Sequence, residues 1–232
     1  MASSTWQHNT GESAIWDQRY GTPDAFAYGR EPNVHVKEAA AQFLPSSPPL
    51  LIYDLASGEG RNAWYLASLG HTVHAIDFSA AGLAKGKGLA QAAGCGERYV
   101  SVKADINKGE QWLPPSAVGT VDALVMSFCH LAKQDKAPVL ENIVKALKPG
   151  GLLILECFHP DQIAKGYRAK SGGPPDPTMM YTLAELRGLL PAGGGTEVEA
   201  AELEYELKEG SLHAGVGAVV RLVWRKAGVC TK

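Results

Sequence analysis

Residues 54–61, with the sequence DLASGEGR, constrain the fold of this 232-residue chain more than any other segment. An apolar run precedes Asp54, and a pattern typical of a helix starts near Asn62. Gly58 and Gly60 can adopt backbone angles closed to other residues, so a ligand can lie against the main chain here. The helix that follows presents unpaired N–H groups and the positive end of its dipole. This strand, turn and helix predict a binding site for a polar or anionic ligand.

Asp77 is the second feature that indicates a ligand-binding βαβ unit. It ends the strand-like residues 72–76 and lies 23 positions after Asp54, where nucleotide-binding βαβ units place the acid that binds ribose hydroxyls. Residues 56–61 read ASGEGR, which departs from the G-x-G-x-x-G fingerprint of dinucleotide sites. Asp54 would also repel a pyrophosphate, whereas it suits the ammonium of an amino acid. S-adenosylmethionine, which combines an amino-acid tail with a ribose, fits this pattern best.

The segment 54–60 resembles the first motif of class I S-adenosylmethionine-dependent methyltransferases, D/E-x-G-x-G-x-G, with Ala56 in place of the first glycine. The resemblance covers about residues 50–157 and continues, in order, through Asp77-Phe78-Ser79, Ala104-Asp105-Ile106, residues 121–125 and residues 147–155. It implies an α/β fold: a doubly wound, seven-stranded, mostly parallel sheet with the last strand antiparallel and an N-terminal helical cap.

The resemblance also implies S-adenosylmethionine as the cofactor. Asp105 is expected to meet the adenine amino group and Ile106 to pack on the ring, although a carboxylate that caps its own loop is the alternative for Asp105. Acids at three successive strand ends favour binding, because such ends converge on one crevice of an open α/β sheet. The implied cofactor-binding residues are Asp54, Ala56, Ser57, Gly58, Gly60, Asn62, Asp77, Phe78, Ser79, Asp105, Ile106 and Ser127.

The composition limits the kinds of partner that we expect for this protein. The net charge of −2 and the pI of about 6.4 give no reason to expect nucleic acid as a partner. The sequence has no apolar run of membrane-spanning length and no secretory signal at its start, so we expect no membrane association. The cysteines at 95, 129, 157 and 230 show no paired spacing. We therefore expect no disulfide framework, no metal site and a cytoplasmic location.

The length fits a single methyltransferase domain spanning residues 1–232. We expect an N-terminal cap or lid at 1–45, a cofactor-binding core at 50–157, a mobile loop beside the acceptor at 161–180 and a C-terminal strand pair at 196–226. The loop is predicted from its lost periodicity and its many Gly and Pro residues. A monomer and a homodimer both remain open.

Large aromatic and basic residues in the N-terminal segment suggest a lid. Trp16, Arg19 and Tyr20 are similar to the W-x-x-R-Y segment of the tellurite-resistance and thiopurine S-methyltransferase groups, where such residues close over the site. Tyr28 follows in the same segment. The alternative is a helix whose aromatic face packs on the sheet. We favour the lid, because binding residues concentrate on segments outside the rigid scaffold.

Two histidines follow predicted strand ends at the crevice, His130 after Phe128 and His159 after the fifth strand. Methyl transfer from a sulfonium requires alignment and exclusion of water, and a phenol or amine acceptor would also profit from a base. His130 is the candidate base, against the alternative that it only fills the wall. Phe128 and His159 are candidate substrate contacts with the aromatic residues of the lid.

Three functions stay open at this point. The first is methylation of a soft S, Se or Te centre in a small molecule, as the resemblance to the tellurite-resistance and thiopurine groups implies. The second is O- or N-methylation of a small aromatic metabolite, with His130 as base. The third is a non-catalytic protein that binds S-adenosylmethionine. The turn from Glu209 to His213, with Arg221 after it, also resembles the tellurite-resistance group, but we assign it no chemical role.

Overall fold

The computed structural model describes residues 12–22 and 24–228. The predicted contribution of residues 1–11 to the cap, and Cys230, lie outside this range. No described helix is both long enough and apolar enough to cross a bilayer. The strands are β1 (Leu51–Leu55), β2 (Thr72–Asp77), β3 (Tyr99–Lys103), β4 (Val121–Ser127), β5 (Leu147–Phe158), β6 (Gly195–Glu209) and β7 (His213–Lys226). The helices are α1 (Glu12–Tyr20), α2 (Val34–Phe43), α3 (Arg61–Ser68), α4 (Ala80–Ala92), α5 (Gly109–Trp112), α6 (Lys133–Ala146), α7 (Asp161–Ala164), α8 (Arg168–Ser171) and α9 (Leu183–Leu189).

The strands form one seven-stranded sheet in the order β3-β2-β1-β4-β5-β7-β6. Strands β1 to β5 pair in parallel, whereas β7 is antiparallel to both β5 and β6. The predicted doubly wound sheet with an antiparallel final pair is therefore confirmed. Helices cover both faces, which explains why the central strands are almost wholly apolar. One buried cluster contains Trp112, Leu140 and Tyr181, a second contains Ile52 and Leu66, and a third contains Phe158 and Val219.

Side-chain caps set several helix starts. Ser79 Oγ accepts a hydrogen bond from the N–H of Gly82 at the start of α4, and Thr182 Oγ1 accepts one from Glu185 at the start of α9. Asn33 caps α2 in the same way through Val36 N. Each cap pairs an N–H group that the helix itself leaves free.

The segment 161–180 differs from the irregular loop expected from its sequence, since it contains α7, α8 and a short 3₁₀ turn. A buried glutamine fixes it: the Gln162 amide donates to Ser171 Oγ at 2.8 Å and to Gly172 O at 2.9 Å. The Gln162 side-chain oxygen accepts from Ala218 N of β7. A single side chain with partners far along the chain has no periodic signature, so the pattern could not reveal this structure. Mobility of the segment stays a prediction.

The topology brings the ends of several strands together at one edge of the sheet. The carboxyl ends of β1, β2, β4 and β5 meet there, as in other open α/β sheets. Because β7 runs in the opposite direction, the amino end of β7 lies at the same edge, with Val219 paired to Phe158. This arrangement brings His213, the first residue of β7, to the predicted crevice.

Candidate active site

A cavity of about 880 Å³ opens at this edge of the sheet. The loop after β1, the ends of β2 to β5, the cap and the start of β7 all contribute to its wall. Of the predicted site residues, the cavity brings together Trp16, Arg19, Tyr20, Tyr28, Ala56, Ser57, Gly58, Asn62, Asp77, Phe78, Asp105, Ile106, Ser127, Phe128 and His130.

The loop after β1 depends on glycine at two positions. Gly58 and Gly60 both have positive φ, 53° and 76°. A Cβ atom on Gly60 would lie 2.6 Å from the Cα of Gly86 and 2.5 Å from Tyr99 Oη, so α3 and α4 approach each other only because both residues lack side chains. Ala56 shares this left-handed conformation, with φ of 54°, although it carries a Cβ. Its presence at a glycine position therefore strains the loop.

Asp77 joins β2 to the loop after β1. Its Oδ2 accepts a hydrogen bond from Gly58 N and its Oδ1 accepts one from Ser79 N, each at 2.8 Å. Burial raises the pKa of Asp77, and the two hydrogen bonds oppose this change. A carboxylate oxygen has more than one acceptor position, so Asp77 can hold the loop and still accept from a hydroxyl in the cavity.

Asp54 lies beneath the loop and does not line the cavity. Its side chain is 1% exposed, and Oδ2 has no hydrogen-bond partner among the described residues. Burial raises the pKa of Asp54 to about 7; Arg61 lowers it and Asp77 raises it further. Ser57 Oγ and Ser127 Oγ are also buried without a partner in the described chain, and both residues border the cavity. These unpaired polar atoms fit the amino-acid end of S-adenosylmethionine.

Asp105 combines the two roles considered for it. It lines the cavity, and it also accepts a 3.0 Å hydrogen bond from Asn107 N while Lys108 Nζ lies 3.5 Å from its other oxygen. Ile106 lines the cavity beside it and is only 6% exposed. The two residues therefore form a polar edge and an apolar floor, as adenine requires.

The cap covers the loop through α1. A Cβ on Gly58 would lie 2.9 Å from Tyr20 Oη, so the tyrosine sits directly on the glycine. Asp17 Oδ1 accepts hydrogen bonds from Ser79 Oγ at 2.5 Å and from Ala81 N at 3.2 Å. A carboxylate at the N-terminus of α4 also interacts favourably with that helix dipole. The described part of the cap thus lies over the cofactor side of the cavity.

Three further predicted residues, Gly60, Ser79 and His159, do not line the cavity. Ser79 is fully buried and uses its hydroxyl to cap α4 and to bind Asp17. His159 is on the outer side, where its Nδ1 accepts from Asp161 N at 3.1 Å and its Nε2 lies 3.7 Å from Glu202 Oε1. The structure therefore corrects the expected places of these residues: Gly60 shapes the loop after β1, Ser79 holds the cap and His159 belongs to a surface turn.

Aromatic rings line the part of the cavity around Phe128, Phe158 and His213, which is called the acceptor end below. The Phe128 ring centroid lies 4.8 Å from that of Phe158 and 4.5 Å from that of His213. The Tyr28 ring centroid also lies 4.5 Å from that of His213. Phe128 has a φ of 50°, a strained conformation for a residue with a bulky side chain. Such strain occurs often where a protein aims a side chain into a site.

The hydrogen bonding of His130 conflicts with the base role predicted for it. The N–H of Phe158 donates to His130 Nε2 at 3.1 Å, so the neutral ring carries its proton on Nδ1 and has no free lone pair. Burial lowers the pKa of His130 to about 3, and the neighbouring His213 and Lys136 contribute to this shift. His130 therefore lies in the wall, stacked on Phe158 at 5.4 Å.

His213 has no role in the prediction from sequence, yet it borders the acceptor end. It is 6% exposed, and Nδ1 lies 3.7 Å from Glu209 Oε2, beyond hydrogen-bonding distance. No hydrogen bond with the described residues occupies Nε2. Burial lowers the pKa of His213 and Glu209 opposes this, so the ring is neutral near pH 7 with a lone pair available.

Glu209 is itself held by Arg61, whose Nη2 donates to Glu209 Oε2 at 2.7 Å. Burial would raise the pKa of Glu209, but His213 and Arg61 lower it to about 2. Asn33 donates to both Glu209 and Glu156, which connects the cap to β5 and β6. A fixed carboxylate beside Nδ1 favours the tautomer with its proton on Nδ1. Within residues 12–22 and 24–228, no three His, Cys, Asp or Glu side chains are grouped to hold a metal ion.

Residues 52–151 match a family model described as a methyltransferase domain. No curated protein sequence matches the chain. One similar structure comes from work on the conversion of a disulfide bond into a thioacetal group during echinomycin biosynthesis, with a TM-score of 0.71, 17% identity, and coverage of 94% of this chain and 93% of that one. A S-adenosylmethionine-dependent methyltransferase from Methanosarcina mazei has a TM-score of 0.64 and 18% identity, covering 85% and 99%. TehB from Haemophilus influenzae has a TM-score of 0.62 and 17% identity, covering 92% and 66%.

At these identities the similar structures establish the fold alone. The domain match and the cavity together show that the core of the chain is a methyltransferase domain that uses S-adenosylmethionine as the methyl donor. The expected class of enzyme and the expected cofactor are confirmed. The acceptor and the closer relation to the tellurite-resistance and thiopurine groups go beyond this finding.

Proposed function

We propose that this S-adenosylmethionine-dependent methyltransferase methylates a soft sulfur, selenium or tellurium atom of a small molecule. The observation that carries the proposal is the acceptor end itself, where aromatic rings surround a neutral histidine. Polarisable sulfur interacts favourably with aromatic rings at about 5 Å. Phe128, Phe158 and Tyr28 all line the cavity, so a sulfur atom bound at this end would contact aromatic rings. One similar structure is also described through chemistry at sulfur, which supports the same choice.

The cofactor side follows from the residues beneath and above the loop after β1. Asp77 accepts from the ribose hydroxyls, Asp105 and Ile106 hold the adenine, and Asp54 and Ser57 lie below the ammonium. Arg19, on α1 beside Tyr20, pairs with the carboxylate of the amino-acid tail. Arg19 is fixed for this role by a 3.0 Å hydrogen bond to Tyr28 Oη and by stacking on Trp16 at 4.5 Å.

When bound, S-adenosylmethionine supplies an electrophilic methyl group on a sulfonium. The residues of the chain align the acceptor with that group and exclude water, which is the larger part of catalysis for such a displacement. Phe128 and Phe158 provide the apolar walls. His213, rather than His130, accepts the acceptor's proton at Nε2, and Glu209 stabilises the imidazolium that forms.

A panel of acceptors tests the proposal. An alkyl thiol, an aromatic thiol, selenite, tellurite and a phenol are each incubated with protein and S-adenosylmethionine. S-adenosylhomocysteine and the methylated product are both measured. We expect thiols or the metalloid oxyanions to give product at least tenfold faster than the phenol. A clear preference for the phenol would reject the proposal.

The second candidate is O- or N-methylation of a small aromatic molecule, because the same rings fit a flat acceptor and His213 is an available base. A phenol preference that disappears in His213→Gln would support it. The third candidate, a non-catalytic binding protein, predicts S-adenosylhomocysteine binding without product from any acceptor.

A further inference from the structure

The mouth of the cavity carries the guanidinium of Arg168, which pairs with no carboxylate within residues 12–22 and 24–228. Arg168 begins α8, is exposed and lines the cavity. Its Nε donates to the carbonyl oxygens of Gly173 and Pro174, each at 3.1 Å. Both Nη groups remain without a partner in the described chain. A guanidinium fixed through Nε in this way presents the two-pronged geometry that matches a carboxylate.

The segment that carries Arg168 is packed tightly against the acceptor end. Ser171 Oγ donates to Val216 O at 2.7 Å, which ties α8 to β7. Gly172 and Gly173 have φ values of 81° and 105°. A Cβ on Gly172 would lie 2.6 Å from Leu212 O, and one on Gly173 would lie 3.0 Å from the Phe158 ring. The backbone that anchors Arg168 is therefore also the backbone that closes the acceptor wall.

The other positive groups near the acceptor end are paired, uncharged or assigned to the cofactor. Lys136 pairs with Glu185. Arg19, which donates to Tyr28 Oη, is assigned above to the carboxylate of the cofactor. Arg61 pairs with Glu209 at 2.7 Å. His130 and His213 have lowered pKa values because they are buried, and both are uncharged near pH 7. Asp135 also borders the cavity but makes no ion pair with Arg168 in the described chain. The rim beside the acceptor thus presents a positive charge that is available to an anion from outside the protein.

We propose that the methyl acceptor carries an anionic group, in the simplest case a carboxylate, that Arg168 binds at the cavity mouth. The reacting atom then lies deeper, against the Phe128 and His213 side chains that border the cavity. The class of substrate is a small mercapto acid or its selenium analogue. The nature of the reacting atom rests on the proposed function, whereas the anionic group rests on Arg168 and can be tested separately.

Two thiols that differ in one group test the inference: 4-mercaptobenzoate and 4-methylbenzenethiol. The ratio of their kcat/KM values is measured for the wild type, Arg168→Gln, Arg19→Gln and Arg187→Gln. Arg187 is the matched control, an exposed arginine of α9 that pairs with Glu197 and does not border the cavity. We expect the carboxylate thiol to be favoured about tenfold, through KM, in the wild type and in Arg187→Gln. In Arg168→Gln the ratio should fall close to one, and in Arg19→Gln it should persist while S-adenosylhomocysteine binds more weakly.

An equal ratio in the wild type and Arg168→Gln would overturn the inference, as would a ratio lost in Arg19→Gln alone. If neither thiol is methylated, these thiols are excluded as acceptors, and ligand binding then tests the anion site separately. Calorimetry then compares 4-(methylthio)benzoate with 4-(methylthio)toluene on the protein saturated with S-adenosylhomocysteine. A preference for the carboxylate that Arg168→Gln removes would support the anion site, and equal binding of both would overturn it.

Discussion

The backbone N–H of Phe158 donates a 3.1 Å hydrogen bond to Nε2 of His130, which removes the lone pair that a general base at this position would need. Glutamine can replace that acceptor, so His130→Gln should keep thiol methylation within about threefold of the wild type, because a wall position contributes no proton transfer. Initial rates at saturating cofactor check this. A loss above a hundredfold with unchanged S-adenosylhomocysteine binding would restore the base role.

His213→Gln should behave differently. General-base catalysis contributes about 10²–10⁴-fold, so an alkyl thiol that is mostly protonated at pH 7 should react roughly a hundredfold more slowly or worse. An acidic aromatic thiol such as 4-nitrothiophenol is already ionised and should lose much less. The kcat/KM values of both thiols provide the comparison. Equal losses for the two would show that His213 only shapes the cavity.

Ala56→Gly should stabilise the protein. The left-handed φ of 54° costs a residue with a Cβ about 1–2 kcal/mol, and glycine would relieve this strain. Glycine also makes the unfolded chain more flexible, which offsets roughly half of the gain in stability. A net gain of about 0.5–1 kcal/mol in the free energy of unfolding is expected from urea titration. Ala63→Gly is the control: Ala63 is buried inside α3, and glycine there should destabilise by about 1 kcal/mol. If Ala56→Gly proved less stable than the wild type, the backbone strain assigned to Ala56 would be contradicted.

Asp54 should make the unliganded protein less stable as the pH rises. Its pKa is about 7 in the folded state, and burial raises it above the value near 3.9 of an unfolded chain. Between about pH 4 and 7 the folded state therefore binds more protons, so the free energy of unfolding falls with rising pH, by at most about 1.4 kcal/mol per unit. The contribution is fully present below pH 4 and is lost above pH 7.

The variant Asp54→Asn should flatten this dependence when urea unfolding is measured from pH 5 to 7.5. Some slope will remain, since the pKa of Asp77 is raised in the same direction. The same slope in Asp54→Asn and the wild type would show that Asp54 is not protonated in the folded protein near neutral pH.

Local sequence was sufficient for the cofactor half of the site. Residues close together in the chain determine the strand, glycine turn and helix around Gly58 and the position of Asp77. The local pattern therefore predicts these elements and also predicts that Asp77 lies beside the glycine turn. The caps at Ser79 and Thr182 are local for the same reason. The resemblance then supplied Asp105 and Ile106, which the structure also places in the cavity.

The acceptor half depends on contacts between distant parts of the chain. His213 reaches the cavity only because β7 pairs antiparallel with β5, and His130 loses its lone pair only because Phe158 N lies opposite. The helices α7 and α8 are held by Gln162, whose partners lie up to 56 residues away. No spacing rule marks such residues. The resemblance of the Glu209–His213 turn was the one signal in the sequence, and it carried no chemistry without the fold.

Titration of the protein with S-adenosylhomocysteine by calorimetry tests the central claim, that the cavity between Asp77 and Asp105 binds the adenosyl cofactor. We expect one ligand per chain in the wild type and in Glu141→Gln, a control at an exposed carboxylate paired with Lys145. Asp77→Asn keeps one oxygen, and so one of the two hydrogen bonds that hold the loop, but it loses the charge that binds the ribose hydroxyls. It should weaken affinity by about tenfold or more while the protein stays folded. Absence of binding in the wild type, or an unchanged affinity in Asp77→Asn, would contradict the claim.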